Sequence, residues 1–168
     1  MDVLKPAPPL SPSLQQQARD WYAGRNWTPF PFQEEVLARY LGGQSGLLNA
    51  PTGSGKTYAL WIPILLDWLR QPGPQRPKGL QVLWITPLRA LAKDIRQACE
   101  EACTELEVPW RVEIRTGDIS SSQRSRQLRQ LPEALITTPE SLHILLANAR
   151  HPDFFASLSA VVVDEWHE

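Results

Sequence analysis

The chain has 168 residues, 42% hydrophobic and 21% charged, with a net charge of -1. This fits one domain of ordinary globular make-up and excludes collagen-like, low-complexity and strongly basic classes. A nucleic-acid partner would have to be held by local groups and not by an overall field. Two cysteines, Cys99 and Cys103, exclude a disulfide framework and suit a reducing compartment.

Residues 1–10 carry Pro6, Pro8 and Pro9 and read as a disordered, Pro-rich N-terminus in place of an apolar signal core. Ser11 reads as an N-cap with Pro12 at the first helical position, and the helix runs to Ala23 before Gly24. Residues 27–32, Trp-Thr-Pro-Phe-Pro-Phe, are extended because each proline biases its predecessor away from helix. A helix is predicted over 33–41, closed by Gly42 and Gly43. Residues 46–49 are a short apolar strand, followed by a Gly-rich loop and a helix to Arg70. Residues 58–69 are the most apolar stretch, but Asp67 interrupts them and a membrane span needs about 20 residues. No membrane partner is expected.

A Pro- and Gly-rich surface linker covers 71–79. Beyond it the expected order is strand 80–85, helix 89–106, strand 111–115, helix 120–131, strand 134–137, helix 140–148 and strand 160–163. Cys99 and Cys103 stand four apart in the second of these helices and read as buried thiols in preference to a metal pair. The last strand is fully apolar and is expected to be central. Alternating strands and helices predict an α/β fold, a mainly parallel sheet covered on both faces. Ligands of such sheets bind beyond the carboxyl ends of the strands. The loops after Asn49, Ile85, Thr137 and Val163 are therefore expected to share one rim.

Residues 50–57, Ala-Pro-Thr-Gly-Ser-Gly-Lys-Thr, have Walker A spacing, with Ala50 in place of the usual first glycine. Small residues let backbone N–H groups converge on phosphate oxygens, and the following helix turns its positive end toward them. Pro51, Thr52, Gly53, Ser54, Gly55, Lys56 and Thr57 are the expected nucleotide contacts, with Lys56 on the β- and γ-phosphates and the Thr57 hydroxyl on Mg²⁺. A Gly-rich turn holding Gly-Lys-Thr by chance is the alternative, and the predicted strand before it and helix after it count against that. Val161, Val162 and Val163 followed by Asp164 and Glu165 have the form of a Walker B strand. Asp164 is expected to hold Mg²⁺ and Glu165 to orient and deprotonate the attacking water.

Taken with these two motifs, the segments 86–91, 116–118, 138–142 and 164–167 resemble, in order, the motifs of superfamily 2 helicases of the DExH-box type. The resemblance covers roughly residues 21–168. Within that superfamily the chain is most similar to the Lhr (large helicase-related) group. More narrowly, residues 24–33 and 164–168 are similar to the bacterial ligase-associated DNA helicases.

The resemblance implies the first RecA-like P-loop NTPase domain over 11–168, truncated after the Walker B strand, with a second RecA-like lobe and C-terminal modules absent. It implies Gln33 as a reader of adenine, since an amide offers both a donor and an acceptor, and His167 as a coupling residue. Thr86, Pro87, Leu88, Arg89, Thr116, Gly117, Thr138, Pro139 and Glu140 would contact nucleic acid. Thr138 also reads as a helix cap, and the arginines over 111–129 read as a solvated face. For the whole protein it implies an ATP- and Mg²⁺-dependent DNA helicase or translocase, a single-strand-dependent ATPase running 3′ to 5′ in DNA repair. Single-stranded DNA or an RNA:DNA hybrid is the implied partner, with a DNA ligase and a nuclease beside it and a bacterial cytoplasmic, nucleoid-associated location. An RNA helicase and a non-catalytic ATP-dependent switch are the rival readings. Without a second lobe, the chain by itself is expected to have negligible ATPase activity.

Overall fold

The computed structural model describes residues 12–51, 53–148 and 151–166. The expected disorder of 1–10, the Ser11 cap, Thr52 and His167 therefore lie outside the described residues. The chain forms two compact units, Met1–Pro74 and Gln75–Glu168.

The first unit is helical. Helix α1 covers Pro12–Gly24, α2 Pro31–Leu41 and α3 Lys56–Leu69. Helix α2 begins two residues earlier than expected, because Pro31 occupies its first turn, where a missing N–H costs nothing. In α3, Ala59, Trp61, Ile62, Ile64, Leu65 and Leu66 are buried. The helix is apolar on most of its surface, as an element at the centre of its unit must be. Pro63 sits inside it, lacking the N–H that would bond to the carbonyl four residues back.

The strand expected over 46–49 does not form. A strand exists only where a neighbour accepts its ladder, and the described elements of this unit are all helices. Leu47 is 71% exposed, which its apolar character does not foretell. The reading failed because two leucines before a Gly-rich loop do not specify a pairing partner.

The second unit is a parallel α/β layer. Strands β1 (Val82–Ile85), β2 (Val112–Arg115), β3 (Ala134–Thr137) and β4 (Ala160–Val163) pair in the order β2-β3-β1-β4. All three pairings are parallel. Between the strands lie α4 (Arg89–Glu105), α5 (Ser121–Arg129), α6 (Pro139–Leu146) and a short α7 (His151–Phe155) that the sequence reading missed. Helix α4 buries Ala92, Ile95, Cys99, Ala102 and Cys103, a three-and-four spacing that presents one face to the sheet. Both cysteines are buried thiols outside any disulfide, and burial pushes the Cys99 thiol well up, as an inert packing residue requires. Leu80, Leu83, Leu131, Leu135, Leu145 and Phe154 form the core on the sheet.

Strand β4 is not central but stands at the edge of this sheet, with Val161 54% and Val163 56% exposed. An unbroken valine run is the signature of a strand covered on both faces, yet among the described residues β4 has only β1 as a ladder neighbour.

Register places the chemistry. Ile85 is level with Thr137 and with Val163, and Thr137 is level with Arg115. The loops that leave these four residues therefore start from one rim, as expected for the three that belong to this unit.

Candidate functional site

The phosphate-type loop belongs to the helical unit. Gly53 and Gly55 have φ of 78° and 83°, the left-handed region in which a Cβ is penalised. At Gly55 a Cβ would also come within 2.7 Å of the Gln33 side-chain nitrogen. Helix α3 begins at Lys56, immediately after this turn. The first N–H groups of a helix have no intrahelical acceptor and carry the positive end of its dipole. The loop closes on itself through Ser54 N–H donating to Pro51 O at 3.2 Å and Lys56 Nζ donating to Ala50 O at 3.0 Å. Ser54 Oγ is buried and has no partner among the described residues. An orphaned hydroxyl costs about 1–3 kcal/mol, and an anionic oxygen is the partner that the hydroxyl, the helix start and the lysine all suit.

Gln33 is 6% exposed and uses both ends of its amide within the unit. Its Oε1 accepts from Phe30 N–H at 2.9 Å, and its Nε2 donates to Gly55 O at 3.2 Å. It joins the start of α2 to the loop carbonyl. Beside it, Arg25 lies over the rings of Trp21, Trp27 and Tyr58, 4.8–5.1 Å from their centroids. Tyr58 follows Thr57 directly, so this aromatic box braces the first turn of α3. Trp27 is 45% exposed, and the part played by Arg25 shows only once four separated residues come together.

In the sheet unit, Asp164 and Glu165 follow β4. Asp164 N–H continues the ladder by donating to Ile85 O at 2.8 Å. Glu165 then turns into the left-handed region, φ 47°, with its N–H donating to Asp164 Oδ1 at 3.0 Å. A strained non-glycine residue costs about 1–2 kcal/mol, and the adjacent carboxylate holds it there. Trp166 is 66% exposed.

The nine residues expected at nucleic acid divide sharply. Leu88, Arg89, Gly117, Pro139 and Glu140 are exposed, and Pro87 is half-buried. Thr86, Thr116 and Thr138 are buried. Thr86 Oγ1 has no partner among the described residues. Thr138 is the N-cap of α6, its hydroxyl accepting from Ser141 N–H at 3.4 Å. Its capping role, read from the sequence beside the strand contact, is the one its side chain performs. Arg89 Nη1 reaches Asp118 Oδ1 at 2.9 Å and Oδ2 at 3.2 Å. Glu140 is held below the usual carboxylate range by its own backbone N–H and the Thr138 hydroxyl, with Arg89 adding to the effect.

The arginines of 111–129 are largely engaged locally. Arg111 bonds Glu133 and Leu131 O, Arg126 pairs with Glu113, and Arg124 donates to Gly117 O. Arg115 is buried, its Nη1 donating to Gln127 Oε1 at 3.3 Å, and desolvation followed by the nearby Arg124 lowers its pKa. The solvated-face reading holds for most of them, with Arg115 the exception that composition conceals.

A sequence profile of the DEAD/DEAH box helicase family matches residues 30–168. The chain is 34% identical over 166 residues to ATP-dependent helicase Lhr-Core protein 2 of Thermococcus barophilus, covering 92% of the chain and 19% of that protein. It is 35% identical over 161 residues to an Lhr helicase/probable uracil glycosylase of Mycolicibacterium smegmatis, covering 89% of the chain and 10% of that protein. Among solved structures, Mycobacterium smegmatis helicase Lhr bound to ssDNA and AMP-PNP superposes with a TM-score of 0.78 at 32% identity, covering 89% of the chain and 20% of that structure. The chain thus spans a fifth or less of the length of these relatives.

Proposed function

The chain belongs to the DEAD/DEAH box helicase family, and on that premise we propose that it is the ATP-binding part of a single-strand-dependent DNA helicase or translocase. The observation that carries the reading is the loop of Gly53–Gly55, two left-handed glycines leading into α3 with a buried Ser54 hydroxyl between them that has no partner among the described residues. A phosphate chain supplies what that loop lacks. Lys56 spends one of its three donors on Ala50 O, which leaves two for phosphate oxygens.

The Thr57 hydroxyl of the first unit and the Asp164 carboxylate of the second are each hard oxygen donors of the kind Mg²⁺ takes. An ion held by such donors would neutralise charge on the phosphates. Glu165 is the candidate general base, its backbone fixed by Asp164 so that its carboxylate orients a water and takes its proton. Gln33 is proposed to read adenine, and both of its present partners compete with that role. His167 is proposed to couple nucleotide and strand.

For the whole protein we assign DNA as substrate, 3′-to-5′ movement and work in repair, on single strands or RNA:DNA hybrids. These follow from likeness to the Lhr group. The narrower likeness of residues 24–33 and 164–168 to ligase-associated helicases supports a DNA ligase and a nuclease as partners and a cytoplasmic, nucleoid-associated setting.

ATPase assays of the whole protein with DNA, RNA and hybrid strands test the reading. Stimulation by DNA supports it, stimulation by RNA alone makes the protein an RNA helicase, and ATP binding without turnover on any strand makes it a switch.

A further inference from the structure

We propose that Asp118 is an anion latch on the strand-binding rim: its carboxylate occupies the place on Arg89 that a backbone phosphate takes when a strand binds. The inference rests on the reading of this rim as a single-strand interface. It goes beyond that reading by giving an acidic residue a defined part in strand affinity.

Arg89 opens α4 just after β1, and Asp118 lies in the loop after β2, so both stand at the carboxyl ends of the sheet. One guanidinium nitrogen of Arg89 donates to both Asp118 oxygens, at 2.9 and 3.2 Å. The side chains are 56% and 70% exposed. A pair so open to water is held weakly and exchanges easily. Carboxylate and phosphate both offer a guanidinium paired anionic acceptor oxygens, so one can replace the other on the arginine.

The neighbours keep Arg89 in that position. A Cβ at Gly117 would come 3.2 Å from Arg89 Nη2 and 3.7 Å from its Cζ, so glycine leaves the guanidinium plane its room. Gly117 O in turn accepts from Arg124 Nη2 at 3.4 Å, which steadies the loop under Arg89. Glu140, exposed in the first turn of α6, is close enough to feel the Arg89 charge. Arg89 thus acts on two carboxylates, and among the described residues it is Asp118 that it bonds.

Binding a strand is then an exchange and not an addition. The phosphate gained by Arg89 is offset by the carboxylate it gives up, and one counterion fewer is released to solution. Asp118 holds the arginine ready for a phosphate while lowering the net gain from binding one. A merely structural bridge has the opposite consequence, because its removal lets Arg89 wander and weakens the strand.

The sign separates the two. Binding of labelled oligodeoxythymidine to the whole protein, without nucleotide and across a salt series, is measured for four forms: wild type, Asp118→Asn, Arg89→Ala and the double variant. Asp118→Asn is expected to tighten binding about two- to fivefold and to steepen the dependence of log K on log salt by about 0.7. Arg89→Ala is expected to weaken binding, and Asp118→Asn to add nothing in that background. Weaker or unchanged binding by Asp118→Asn overturns the latch, as does an equal gain with and without Arg89, which marks a general effect of charge. Failure of the wild type to bind any strand defeats the interface reading, and the latch with it.

Discussion

In Met1–Pro74 the candidate contacts are mostly backbone: left-handed glycines, a helix start and the lysine that follows them. In Gln75–Glu168 they are mostly side chains, displayed where in-register parallel strands end. The first arrangement tolerates almost no change of residue type, because each position is set by a torsion angle or a clash. The second tolerates changes of side chain as long as the sheet fixes where each begins. Of the nine contacts expected in the second unit, three are buried threonines.

The largest expected effect is on the loop. Lys56→Ala abolishes ATP turnover in the whole protein, a loss of at least ~10²-fold, measured as phosphate release at saturating DNA. Near-normal turnover would remove the phosphate role of the loop and break the contrast at its root.

Glu165→Gln keeps ATP binding and lowers hydrolysis by ~10²–10⁴-fold, read by nucleotide titration beside single-turnover kinetics. Loss of both together would mean that the residue maintains the left-handed turn and does no proton transfer.

Leu135→Ala, at a fully buried position in the middle of β3, is expected to cost about 2–5 kcal/mol of stability, measured by denaturant unfolding. This tests whether the sheet is the rigid base that the strand contacts require.

The finest test compares the two glycines. Gly53→Ala meets nothing within 4 Å and suffers only its left-handed φ of 78°, a cost of about 1–2 kcal/mol. Gly55→Ala carries a similar φ and also drives a Cβ into the Gln33 amide at 2.7 Å. It is expected to reduce ATP affinity more than Gly53→Ala does, by nucleotide titration, and equal effects would show that contact with Gln33 does not matter.

How much of this was legible depends on what each signal encodes. Strands 134–137 and 160–163 were placed to the residue because apolar runs between turn signals leave no choice of period. Strand 80–85 begins at Val82 instead: Leu80 O accepts from the Ser157 hydroxyl, and Gln81 bonds Glu133 O and Ala160 N where the paired strands start. Residues 46–49 carry the same apolar signal and form no strand, because pairing is a property of two segments and one sequence window shows only one. Asp164 and Glu165 were found by their order along the chain, yet the positive φ of Glu165 is invisible to any residue-type rule. The pairing of Arg89 with Asp118 joins residues 29 apart, which no local pattern predicts, whereas the Thr138 cap needed only three residues of context.

The position of Gln33 has an analytical consequence. Its amide is held by one acceptor and one donor from different segments, 2.9 Å from Phe30 N and 3.2 Å from Gly55 O. Its two side-chain protons are inequivalent in this arrangement, one aimed at a carbonyl and one not. In an isotope-labelled sample they would give a resolved pair of resonances whose separation depends on what the amide faces. An adenine that takes over the acceptor and a donor would shift both, while a ligand that engages only the loop would move one. That pair of signals would separate recognition of the base from recognition of the phosphates within a single side chain, without any turnover.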